Sequence, residues 1–248
     1  MSNIIYGRNS VKEAIKANRD ISCIFVDKNY RSKKGSISQI LTLARDKNIN
    51  IKTLDSKALD TKANMGNHQG ILAIVEEYKY SNIEEILNFA KEKNEPPFII
   101  IADGFEDPHN LGAIIRTAEC AGAHGIIIPK NNCCGITSTV EKVAVGALEY
   151  MRVAKVTNLS RTLEDLKRVG IWIYCADMNG ETYYATDFSG PVALVIGSEG
   201  KGIRPLIKKN CDFVVSIPLL GKISSLNASV AAGILMYEIS KNRTLNKK

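Results

Sequence analysis

The sequence predicts an α/β protein with a mainly parallel, doubly covered sheet in its C-terminal part and a small α/β unit in front of it. Three observations carry that expectation. From Phe98 onward, short apolar runs alternate with amphipathic segments, the pattern of repeated βα units. Pro96-Pro97 interrupts the chain where neither residue can continue a helix or donate to a strand ladder. The 248 residues, 45% hydrophobic and 24% charged, are enough for one large or two modest domains. The division expected is 1–76, a linker over 77–97, and 98–248.

In the first unit, helices are expected at Ser10–Ala17, around Ile37, Ile40, Leu41 and Ala44, and at Ser56–Ala63. The middle one follows the i, i+3, i+4, i+7 spacing of a single buried face. The β-rich runs Ser22–Val26, Ile49–Leu54 and Gly70–Val75 read as strands. A helix around Ile83, Ile86, Leu87 and Ala90 lies in the linker. Beyond it come strand Phe98–Ala102, helix Leu111–Ala121, strand Gly125–Ile128, helix Thr139–Leu148 and strand Arg152–Val156. Helix Leu159–Val169, strand Ile171–Ala176, strand Ala193–Gly197, helix Arg204–Lys209, strand Phe213–Ile217 and helix Asn227–Ser240 complete the series. Sheets of this kind bind ligands at the carboxyl ends of their strands.

The charge is unevenly placed. Of 33 basic and 26 acidic residues, 13 and 6 fall within residues 1–75, so the whole +7 excess is N-terminal and the remainder is neutral. A basic unit beside a neutral one points to a polyanion met by the front end, against the plainer reading of a Lys-rich solubilising surface. Basic residues crowd the Asn29–Lys34 loop. No apolar run approaches the ~18 residues of a membrane span, and the N-terminus does not read as a secretory signal, so no membrane association and a cytoplasmic location are expected. Six cysteines without a C-x-x-C pair, and three scattered histidines, argue against a metal.

Three loops carry chemistry. The first, Ala102 to Thr117, leaves a buried strand and opens a helix; Asn110 sits where an N-cap or a ligand-facing amide would, and Arg116, six residues on, lies on another face. A cap and a surface ion pair are the structural alternatives. The second, Ile196-Gly197-Ser198-Glu199-Gly200-Lys201-Gly202, holds three glycines after an apolar strand, as a closely approached backbone requires. Its spacing fits neither phosphate-binding glycine motif, and Glu199 would repel a triphosphate, which argues against an NTPase. The third, Ser216 to Gly233, passes through Gly221 into a small-residue helix, with Ser225 and Asn227 placed as ligands or caps.

In order, these loops resemble the three motifs of the SpoU (TrmH) family of S-adenosylmethionine-dependent RNA ribose 2′-O-methyltransferases. Asn110-Leu111-Gly112-Ala113-Ile114-Ile115-Arg116-Thr117-Ala118 is similar to the first, Ile196 to Gly202 to the second, and Ile217-Pro218-Leu219 with Ser225-Leu226-Asn227-Ala228-Ser229 to the third. Tyr6-Gly7-Arg8-Asn9-Ser10-Val11 and Asn67-His68-Gln69-Gly70-Ile71 are similar to the two ends of a ribosomal-protein-like substrate-binding extension found in one branch. The resemblance implies a trefoil-knotted (SPOUT) C-terminal domain, an exception to unknotted topology. It implies S-adenosylmethionine as cofactor, bound through backbone groups around Ile196, Gly197, Ile217, Leu219 and Leu226.

It further implies that Asn110, Arg116, Glu199, Ser225 and Asn227 shape the catalytic site. A general-base role has been proposed for the family's arginine, but a guanidinium pKa above ~12 makes a phosphate clamp or transition-state stabiliser the better reading of Arg116. The implied substrate is a ribose, in this branch a guanosine, of large-subunit (23S) ribosomal RNA. The implied assembly is a homodimer through helix Asn227–Ser240 and residues near Arg116. A transfer-RNA methyltransferase, a drug-resistance methyltransferase of large-subunit RNA and a non-catalytic RNA-binding or ribosome-assembly protein are the alternatives.

Overall fold

The computed structural model describes residues 2–29 and 36–245; residues 30–34 of the basic loop expected at 29–34 lie outside them. In chain order the elements are β1 (Ser2–Tyr6), α1 (Arg8–Lys16), β2 (Ile21–Asp27), α2 (Ser36–Asp46), β3 (Ile51–Leu54), α3 (Ser56–Lys62) and β4 (Ile71–Glu76). These are followed by α4 (Ile83–Glu92), β5 (Phe98–Asp103), α5 (Pro108–Cys120), β6 (Gly125–Pro129), α6 (Ser138–Ala144) and β7 (Arg152–Val156). The last are α7 (Leu159–Arg168), β8 (Trp172–Thr182), β9 (Val192–Gly197), α8 (Pro205–Lys209), β10 (Phe213–Ser216) and α9 (Ala228–Leu245).

Two compact units result, residues 1–79 with 136–150, and residues 80–135 with 151–248. They differ from the expected division in two places. The expected linker carries α4, begun by an Asn82–Glu85 capping box, and its Ile86 is fully buried in the core of the second unit. Residues 136–150, which hold the helix expected at Thr139–Leu148 in the C-terminal domain, belong to the first unit instead. Val145 and Gly146 adopt left-handed backbone (φ 54° and 92°), which ends α6 and leaves a separate 3-10 turn over Ala147–Glu149.

In the first unit, the sheet runs β1-β4-β2-β3, with β2/β3 parallel and the other pairs antiparallel. One face buries Val11, Ala14 and Ile15 of α1 with Ile40 and Ala44 of α2; the other buries Leu59 and Ala63 with Phe25 and Leu72. The sequence reading had no β1. Its Ser-Asn-Ile-Ile-Tyr run is too short to show alternation, and only pairing with β4 makes it a strand.

The second unit holds a six-stranded, wholly parallel sheet in the order β10-β8-β9-β5-β6-β7. Its interior strands β5 and β6 are buried along their length, as a sheet covered on both faces requires. Helix α5 starts on Pro108 with Asp107 as its N-cap, Oδ1 accepting from the His109 N–H at 2.9 Å. Asn110 is therefore a first-turn residue, and of its two expected roles the cap is excluded. β8 extends well past Ala176. Its pairing with β10 jumps from Cys175↔Val214 to Glu181↔Val215, so the intervening residues leave the ladder.

Candidate functional site

The second loop is pinned at both ends to the last residue of β5. Ser198 N–H donates to the Asp103 carbonyl at 3.2 Å. The Asp103 carboxylate, fully buried, takes Nη2 of Arg204 at 2.6 Å, its Nε at 2.8 Å, and its backbone N–H at 3.1 Å. Both guanidinium donors converge on Oδ1 while Oδ2 takes the backbone N–H, so charge-assisted bonds hold the loop in one geometry. Between these anchors the chain turns back on itself, with Gly202 N–H donating to the Ser198 carbonyl at 2.9 Å. A Cβ on Gly197 would lie 2.2 Å from the Gly202 carbonyl carbon and 2.4 Å from Ile203 N, so only glycine closes this turn.

Beside the turn lies a cleft of about 730 Å³ at the carboxyl ends of β8, β9 and β10. Ile196, Ile203, Val215, Ile217, Leu219 and Leu226 supply apolar wall, and Asp177, Glu199, Ser225 and Asn227 supply polar groups. An apolar cavity with a few convergent polar groups suits an aromatic heterocycle carrying a polar tail. Asp177 reaches the cleft because it belongs to the unpaired stretch of β8. Lys208, whose Nζ lies 2.8 Å from Asp177 Oδ2, holds that carboxyl below the usual range, so it is an anion at neutral pH.

The hub of the polar side is Asn227. Its Oδ1 accepts from Ser229 N–H at 2.9 Å and Val230 N–H at 3.3 Å, capping α9. Its Nδ2 donates to Asn110 Oδ1 at 3.0 Å and to Glu199 Oε1, which also accepts from Ala228 N–H at 3.2 Å. One side chain thus ties the three loops together. The cap and ligand readings of Asn227 are compatible, since its oxygen serves the helix and its nitrogen serves the site.

Of the ten residues singled out from the sequence, Ile196, Gly197, Glu199, Ile217, Leu219, Ser225, Leu226 and Asn227 line the cleft. Asn110 joins them through Asn227. Arg116 does not line it; it is exposed on α5 and makes no hydrogen bond or ion pair among the described residues. Sequence reasoning missed Ala176, Asp177 and Met178, because nothing in a turn-rich run announces which residues a skipped register will turn into a cavity. Among the described residues, no cluster of three or more His, Cys, Asp or Glu is arranged to hold a metal ion, and no helix is long and apolar enough to cross a membrane.

Residues 97–237 match the SpoU rRNA Methylase family, and residues 4–81 match the family described as RNA 2′-O ribose methyltransferase substrate binding. A Bacillus subtilis (strain 168) protein, provisionally named as a TrmH family tRNA/rRNA methyltransferase, is 46% identical over 240 residues, covering 96% of this chain and 95% of its own. The structure is similar to that of the SpoU methyltransferase AviRb from Streptomyces viridochromogenes, solved in complex with the cofactor AdoMet. The TM-score is 0.80 at 23% identity over 98% of this chain and 91% of that one, which establishes a shared fold. The A. aeolicus TrmH/SpoU tRNA modifying enzyme is similar at TM-score 0.57 and 27% identity, over 62% of this chain and 78% of its own. With one family covering the catalytic half, a second covering the basic front end, and a relative matching nearly end to end, the chain belongs to the SpoU RNA methylase family.

Proposed function

We propose that this protein transfers a methyl group from S-adenosylmethionine to a ribose 2′-OH, that of a guanosine in large-subunit ribosomal RNA. The observation that carries the reading is the convergence of all three motif loops on one cleft through Asn227. The residues present fit the cofactor. Backbone groups around Ile196, Gly197, Ile217, Leu219 and Leu226 would hold adenosine against an apolar wall, and the Asp177 carboxylate matches an α-amino group. When bound, S-adenosylmethionine supplies an electrophilic methyl on a sulfonium sulfur.

The chain's own contribution is positioning. Glu199 holds the third loop through Asn227 and Ala228, Asn110 fixes the free side of the Asn227 amide, and Ser225 faces the cleft beside the acceptor. Arg116, exposed and unpaired within the described chain, is the clamp for a backbone phosphate next to the reacting ribose. A homodimer is part of this reading. Leu220, Ile223, Val230 and Tyr237, each at least half exposed along the third loop and α9, are apolar surface for a second copy to cover. So is the knotted threading: α9 packs on α5 and β9, although the chain reaches it from the edge strand β10. A cytoplasmic setting follows from an RNA substrate of this class.

Purified protein with labelled S-adenosylmethionine is incubated separately with large-subunit rRNA transcript and with bulk transfer RNA, and each is digested to nucleosides for mass spectrometry. The expected product is 2′-O-methylguanosine from rRNA alone. Label in transfer RNA alone overturns the substrate and keeps the chemistry; label in neither overturns the enzyme. Arg116→Lys is expected to lower turnover at least about tenfold, because an ammonium cannot replace a bidentate fork. Near-normal turnover would remove the clamp.

A further inference from the structure

Two of the six cysteines, Cys133 and Cys134, are consecutive on the loop between β6 and α6. All six are free thiols, and neither of this pair lines the cleft. Their loop is nonetheless tied to it. Cys134 N–H donates to the carbonyl of Phe105, a buried residue of the first of the three loops, at 2.7 Å. Asn132, just before the pair, is bent into left-handed backbone at φ 58°. A Cβ on Gly104 would lie 3.9 Å from the Asn132 carbonyl oxygen and 3.5 Å from Ser198 Oγ, so the segment sits beside both the first loop and the second, whose Ser198 lines the cleft.

The two thiols share a hydrogen bond and both are half-buried. Cys133 S–H is the donor, which holds Cys134 below the ordinary thiol range; the same bond, and burial after it, push Cys133 up. The other four differ. Burial pushes Cys23 and Cys120 up, and a hydrogen bond to Cys175 does the same for Cys211. Cys175 is lowered by that bond but is fully buried among core side chains. Of the six, Cys134 alone joins thiolate character to solvent access, and it has a second thiol next to it. Those are the attributes of an oxidation-sensitive cysteine with its resolving partner.

We infer that Cys133 and Cys134 form an oxidation site, which hydrogen peroxide closes reversibly to a vicinal disulfide, disturbing the first loop. The Cys134 thiolate attacks one peroxide oxygen and the O–O bond breaks, leaving a sulfenic acid on Cys134 and hydroxide. The Cys133 sulfur then attacks the Cys134 sulfur, the S–O bond breaks, and the departing hydroxide leaves as water with the Cys133 proton. Two electrons and two protons pass from the thiols to peroxide, which becomes two waters. Consecutive Cα atoms stand ~3.8 Å apart, short of the ~4.4 Å at the lower end for disulfides, so the bond is strained and easily reduced. Closing it twists the Cys133–Cys134 peptide and draws the Cys134 N–H away from Phe105. The effect on methyl transfer rests on the RNA-methyltransferase reading; the oxidation does not.

Reduced full-length protein is treated with a few equivalents of hydrogen peroxide, denatured, alkylated and digested for mass spectrometry. The peptide carrying Cys133 and Cys134 is expected unalkylated and two hydrogens lighter, with the other four cysteines alkylated, and dithiothreitol is expected to restore it. In Cys133→Ser, oxidation is expected to stop at a sulfenic acid on Cys134 that dimedone traps. A fully alkylated pair in protein whose Cys120 has been oxidised overturns the site. Oxidised wild type is expected to methylate large-subunit rRNA transcript at least about tenfold more slowly, because small misplacements near reacting groups are costly, and to recover on reduction. The double variant Cys133→Ser, Cys134→Ser is expected to be insensitive to the same treatment. A disulfide that forms without slowing methylation overturns the link to the first loop. If the reduced protein methylates no RNA, the methyltransferase reading falls, and the mass of the peptide alone upholds or overturns the oxidation site.

Discussion

Both ring nitrogens of His124 are spoken for, and that decides its chemistry. Nδ1 accepts the Phe98 N–H at 3.0 Å, which leaves Nε2 to donate to Glu95 at 3.1 Å. Burial first, and the charge of Arg243 second, press its pKa down from 6.5 to about 4, against the opposing pull of Glu95. The folded state thus stays neutral where the unfolded chain takes up a proton. Its contribution is complete above pH 6.5 and is lost as pH falls towards 4, by up to roughly 3 kcal/mol. Urea midpoints measured across that window are expected to fall for wild type and to lose this component in His124→Asn. Equal slopes in the two proteins would contradict it. Nothing local in the sequence gives the tautomer or partners of His124; both needed Glu95 and Phe98 to be brought beside it.

At the scale of elements, α6 shows how a segment can belong to a unit other than the one its sequence neighbours form. Arg19, on the turn after α1, pairs with Glu141 at 2.7 Å and Glu149 at 2.9 Å and donates to the Glu76 carbonyl at 2.8 Å; Asn3 Nδ2 reaches the other oxygen of Glu141 at 2.8 Å. Burial pushes both carboxyls up, with Arg19 pulling back. Removing the one cation leaves two buried carboxylates, so Arg19→Met is expected to cost about 3–5 kcal/mol in urea denaturation. Lys16→Ala, which breaks the half-exposed pair with Glu13, is expected to cost under about 1 kcal/mol. Similar losses from both would show the network to be incidental. Periodicity placed the helix near Thr139–Leu148 correctly in kind. It could not show the left-handed break at Val145, or that Glu141 faces Arg19 more than a hundred residues away, since neither leaves a local trace.

For the whole molecule, the charge asymmetry and the cleft of the second unit fall in different parts of the chain. Every residue of that cleft lies between Ala176 and Leu235, whereas the basic excess lies within the first 75 residues. A chain lacking residues 1–79 is therefore expected to keep S-adenosylmethionine affinity within about threefold by calorimetry. It is also expected to lose most of the salt dependence of RNA binding, whose slope scales at about −0.7 per single-strand phosphate contact. Such a chain uncovers Val140, Ala144 and Leu148, which are buried in the first unit, and is expected to aggregate on mild heating. Full salt dependence in the shortened protein would place the RNA contacts elsewhere.

By itself the sequence determined the α/β class, the order of the parallel-sheet elements, the basic front end and the three chemical loops. Each of these is a local property of spacing, composition or strand-ending glycines. Eight of the cleft's residues were legible because those loops resemble the family's motifs, not from spacing or composition alone. Tertiary structure alone decided that Asp177 enters the cleft, that Asp103 and Arg204 pin the second loop, and that residues 136–150 join the first unit. All of these depend on pairs far apart in the chain, set by strand register and by the burial of charges that must find partners. One-dimensional pattern carries no term for either.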